Sequence, residues 1–90
     1  MKHEEIIQEL QDLAAQLNVT IRYERGDFEG GYCVLKDRKI LLVNRRLMPM
    51  RKASVLAMAL QEIGLENVFL KPVLRAYIED EAAKAARSRK

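Results

Sequence analysis

Chemistry in this chain would fall to very few side chains. His3 is the one histidine and Cys33 the one cysteine among 90 residues. A structural or hydrolytic zinc ion takes roughly three or four imidazole, thiolate or carboxylate ligands, so one imidazole and one thiol cannot build such a centre within one copy. Cys33 has no histidine near it in sequence to activate the thiol. Set between Tyr32 and Val34 in a β-rich run, it reads as a small core residue. His3 precedes Glu4 and Glu5 where a helical pattern begins and reads as a surface residue. Met48, Met50 and Met58 are clustered and could serve a partner groove, although filling a ragged core suits them better.

The most concentrated chemistry is cationic. Lys36, Arg38, Lys39, Arg45, Arg46, Arg51 and Lys52 fall between positions 36 and 52 with only Asp37 against them. If folding gathers this run into one patch it could sit on nucleic-acid phosphates, with Tyr23, Phe28 or Tyr32 as stacking surfaces. No helix-turn-helix, RNA-recognition sheet motif or zinc-finger spacing accompanies it. The plainer alternative is a solvated face, or a basic surface that meets Glu79-Asp80-Glu81 or the acidic first helix of another subunit. The net charge of +3 hides this segregation, because residues 1–35 hold three basic and seven acidic groups while residues 84–90 hold four basic groups and no acid.

The elements that must position these residues follow from periodicity. Ile6, Ile7, Leu10, Leu13, Ala14 and Leu17 fall on one helical face and predict a first helix over about 3–17, stopped at Asn18. Val19, Ile21 and Tyr23 alternate with Thr20 and Arg22 as a strand with one buried face. Gly26, Asp27, Gly30 and Gly31 mark a loop over 24–31. Tyr32–Leu35 and Lys39–Val43 read as a hairpin about a polar turn. Pro49 opens a second helix that Gly64 closes, with Ala53, Leu56, Ala57, Leu60 and Ile63 as its apolar stripe. Val68, Phe69 and Leu70 are expected to plug the core. Pro72 opens a third helix that carries Val73, Leu74, Tyr77 and Ile78 inward and fades near Ala86.

The hairpin and second helix, over about 19–63, resemble the core of minimal zincin-like metallopeptidases of the kind found beside phage-type repressors. In that family a glycine-containing strand, a hairpin ending in asparagine and a short loop lead to a helix bearing Leu-Ala-His-Glu-Leu-Gly-His. Here the stretch runs Gly30-Gly31-Tyr32 through Asn44 to Leu56-Ala57-Met58-Ala59-Leu60-Gln61-Glu62. The resemblance places Met58, Ala59 and Glu62 where the family has its first histidine, its general-base glutamate and its second histidine. A thioether is a poor substitute for imidazole at a hydrolytic zinc ion, alanine is no base, and Glu62 is a single ligand. The resemblance therefore implies a scaffold without its zinc site.

The reading is of one α+β domain over 1–86 followed by a basic tail over 87–90. Its elements are an N-terminal helix, a three-stranded antiparallel sheet with a hairpin, and two C-terminal helices packed on one face. A chain this short buries only about 60–65% of its unfolded surface, so association with a second copy would help it. No signal-like or membrane-spanning stretch follows Met1-Lys2-His3, and a cytoplasmic location is expected. The function expected is a non-catalytic interaction or structural module, self-associating or bound to a protein partner, with no cofactor; a nucleic-acid accessory role built on residues 36–52 is the alternative.

Overall fold

The computed structural model describes residues 2–88. The chain runs through α1 (His3–Gln16), β1 (Val19–Glu24), β2 (Gly30–Leu35), β3 (Arg38–Asn44), α2 (Pro49–Ile63) and α3 (Pro72–Ser88), an α+β fold in the order the periodicity predicts. Arg89 and Lys90 of the expected tail lie outside the described residues, and Arg87 still belongs to α3.

The sheet is mixed rather than purely antiparallel. β3 lies in the middle, antiparallel to β2 with Cys33 opposite Ile40, and parallel to β1 with Ile21 opposite Leu41. A tight turn fixes only the pair it joins. The loop after β1 reverses the chain once and the hairpin reverses it again, so β3 runs with β1; by inserting between β1 and β2 it makes the first pairing parallel. Its four consecutive apolar residues Ile40-Leu41-Leu42-Val43 suit a strand flanked on both sides. Leu41 and Val43 are fully buried toward the helices, while Ile40, on the opposite face, keeps 8% exposure.

Turn chemistry explains the ends of these elements. Lys36 and Asp37 both hold left-handed backbone, at φ 50° and 67°, as a two-residue I′-type hairpin loop demands. Asn18 at φ 59° ends α1 as the sequence predicts, its N–H donating to Ala15 O at 3.1 Å. Asn44, almost fully buried, is a clip: its Nδ2 donates to Gly26 O at 2.8 Å and Phe28 O at 2.6 Å, and its Oδ1 accepts from Arg46 N–H at 2.9 Å. One amide thus pins the loop between β1 and β2 to the end of β3.

α2 is the central helix. Ala53, Leu56, Ala57 and Leu60 are all fully buried, with alanines letting α1 and the sheet approach closely. Leu10 and Leu13 of α1 and Leu74 and Ile78 of α3 complete the core. Four expected core residues lie elsewhere. Phe69 is 82% exposed because Leu70, next in an extended connector, takes the inward position. Val73 is exposed one turn before the partly buried Tyr77 and the buried Ile78. Met48 and Met50 stand in solvent at the start of α2, so they fill no core gap. Tyr23 links layers, its Oη donating to Gln11 Oε1 at 2.6 Å while Lys52 Nζ lies 5.8 Å from its ring centroid. Burial raises the pKa of this phenol.

Candidate functional site

A groove of about 720 Å³ runs between β2 and the helices. Glu29, Gly30 and Gly31 form its strand wall, Ser54, Val55, Met58 and Glu62 its floor on α2, and Glu81 and Lys84 its far rim on α3. Gly30 is required where strand and helix meet. It sits at φ +146°, and a Cβ there would strike the Leu42 carbonyl oxygen and come within 2.9 Å of Val55 Cγ1. The absent side chain lets α2 pass directly beneath β2.

Charges in the groove are largely matched. Arg51 Nε donates to Glu29 Oε2 at 3.0 Å, tying the start of β2 to the first turn of α2. Lys84 Nζ lies 3.0 Å from Glu81 Oε2 and 3.4 Å from Asp80 Oδ2, and the hydrogen bond to Glu81 leads the contacts that raise the pKa of its ammonium. Apart from Glu81, whose side chain keeps 13% exposure, these groups are exposed, and the pairs contribute shape more than stability.

The three positions singled out on α2 all line the groove, Met58 and Glu62 one helical turn apart and Ala59 at 4% exposure, packed into the core as well. His3 begins α1, away from the groove lining, and Cys33 is exposed on β2, also outside it. The exposure of Cys33 overturns its reading as a core residue. It pairs with Ile40 on the sheet face turned away from the helices, and among the described residues no element covers that face at the edge strand. Among the described residues no group of three His, Cys, Asp or Glu side chains could hold a metal ion.

The basic run is divided by β3. Lys36, Arg38 and Lys39 lie at the hairpin end, and Arg45 and Arg46 follow the other end, about 20 Å away at ~3.3 Å per residue. Arg51 is engaged by Glu29 and Lys52 by the Tyr23 ring. Tyr23, Phe28 and Tyr32 are all partly buried, and Lys52 lies over the Tyr23 ring.

Three short strands are expected to leave exposed edges, and the strand order decides which strands they are. Among the described residues nothing pairs with the outer edge of β2, because β3 rather than β2 occupies the centre. The sheet's outer face carries Cys33 and Leu35 beside Ile40 and Leu42. A signal for the edge lies in the six uncharged residues Gly30–Leu35; β2 starts at Gly30, whereas the sequence predicts a loop through Gly31 and a hairpin strand only from Tyr32. No helix among the described residues is long and apolar enough to cross a membrane. No protein-family model matches this chain, and no curated protein and no solved structure matches it.

Proposed function

We propose that this chain is a non-catalytic interaction module, on a scaffold similar to that of a minimal zincin but without a zinc site, which works by associating with a protein surface, a second copy of itself included. The observation that carries the reading is the open edge of β2 above the groove. An unpaired row of backbone donors and acceptors beside an apolar-floored channel is equipped to take up another chain. The groove's side chains favour recognition over chemistry, since Glu29 and Glu81 are matched by cations, Met58 and Ala59 offer neither a hard ligand nor a base, and Glu62 is a single carboxylate where about three ligands are needed.

The alternative nucleic-acid role draws on the basic run, whose division between the two ends of β3 weakens it. Equilibrium dialysis against zinc together with the mass in solution tests the proposal. The expected result is no stoichiometric zinc and an assembly heavier than one chain at high micromolar concentration. Tight stoichiometric zinc that disappears in Glu62→Gln, with peptide hydrolysis that disappears with it, would overturn the non-catalytic reading.

A further inference from the structure

We infer that the occupant of the β2 edge is β2 of a second copy, paired antiparallel about a two-fold axis to make one continuous six-stranded sheet. The inference rests on the interaction-module reading and assigns its partner.

The phase of the ladder identifies which groups are available. Asn44 N–H donates to Glu29 O at 2.9 Å, so Glu29, Gly31, Cys33 and Leu35 turn their backbone groups toward β3, and Gly30, Tyr32 and Val34 turn theirs outward. Pairing Tyr32 with its counterpart sets Gly30 opposite Val34 on both sides of the axis and makes about six new backbone hydrogen bonds. Val34, 60% exposed, then packs over a residue with no side chain. Gly31 comes opposite Cys33 of the second copy, and a Cβ placed on Gly31 meets no atom within 4 Å, so that side of the strand has room for it.

Three observations favour this occupant. Natural edge strands are guarded by charges, proline or bulges, yet Gly30–Leu35 has no charge, no proline and an unbroken register with β3. The opposite edge, β1, carries Arg22 and Glu24. Charge also selects orientation, because β2 is flanked by Asp27 and Glu29 before it and Lys36 after it. Antiparallel pairing brings Lys36 of each copy beside Asp27 and Glu29 of the other, whereas parallel pairing sets like against like. Finally, the arrangement is isologous, so one sequence satisfies both sides.

The interface is small, so association belongs in the micromolar range and should weaken as salt rises. Sedimentation of the full chain from 1 to several hundred μM, with far-UV circular dichroism and melting to show that each variant folds, supplies the test. Val34→Pro removes an outward N–H without touching the β2–β3 ladder, and Val34→Lys places a charge on the edge; each is expected to raise the dimer dissociation constant at least tenfold. Lys36→Asp and Asp27→Lys should each weaken association about threefold or more, and their combination should restore it. A short bis-maleimide should link Cys33 to its counterpart in the wild type and not in Val34→Lys. A dimer unaffected by the Val34 and charge variants would overturn the β2 pairing while leaving the interaction-module reading intact. A monomer at every concentration would overturn the pairing outright, and zinc dialysis then judges the broader reading alone.

Discussion

Asn44 donates to the carbonyl of Phe28 across 16 residues of sequence, at 2.6 Å and with almost no exposure to water. The same amide nitrogen satisfies Gly26 O, so the loop that delivers the chain to the β2 edge is held by one side chain. Asn44→Ala strands two carbonyls and is expected to cost about 2 kcal/mol in urea unfolding. Asn44→Asp turns a carboxylate toward those carbonyls and should cost more. A loss below about 0.5 kcal/mol in both would show that water replaces the clip.

The start of α2 is poorly defended. Met48 precedes Pro49 as an N-cap with no side-chain hydrogen bond, and no acidic residue lies in the first turn, where Arg51 and Lys52 oppose the helix dipole. Met48 is 72% exposed, so its replacement disturbs little packing. Met48→Asp should add about 1 kcal/mol of stability, read as a higher urea midpoint at unchanged slope.

Tyr77 provides a pH signature. Its pKa is pushed up to about 12 by burial first, then by Glu81 and Asp80, with Arg51 acting in the opposite direction. Because the folded value lies above the ordinary 10.0 of the unfolded chain, this phenol's contribution is fully present below pH 10 and is lost as pH rises from 10 toward 12. Unfolding followed across that window should show a fall in stability that is smaller in Tyr77→Phe. Absorbance at 295 nm should lose a late-ionising phenolate in the same variant.

The divided basic run predicts no appreciable retention of the wild type on nucleic acid. Reversing Lys39, Arg45 and Arg46 to glutamate should leave retention on single- and double-stranded DNA and on RNA at low salt essentially unchanged. Tight binding by the wild type that the triple variant abolishes would restore the nucleic-acid reading.

Much of this fold is legible in the residues. The apolar period placed α1 and α2 almost to the residue, Pro49 and Pro72 marked helix starts, and Asn18 and Gly64 marked stops. Strand order was harder, since Lys36-Asp37 reports only the local reversal and nothing local tells β1 which side of the hairpin to join. The clue was Ile40–Val43, whose apolar residues on both faces favour the middle of a sheet. The exposure of Cys33 follows from the same fact: with β3 central, β2 becomes an edge and its outer face is uncovered. For the candidate site, Met58 and Glu62 could be placed on one wall from helical spacing. Gly30 and Arg51 joined them only through the tertiary crossing of β2 over α2. The seven cations were adjacent in sequence, but a straight strand kept them apart.

The parallel register between β1 and β3 also orders the folding reaction. β2 and β3 meet across a two-residue turn, a contact made within microseconds, whereas Val19 must find Lys39 after the intervening hairpin exists. Loop closure of that span is paid before its reward arrives, so β1 docks late. Substitutions at Ile21 should therefore hasten unfolding more than they slow refolding, and those at Leu41, which serves both pairings, should do both.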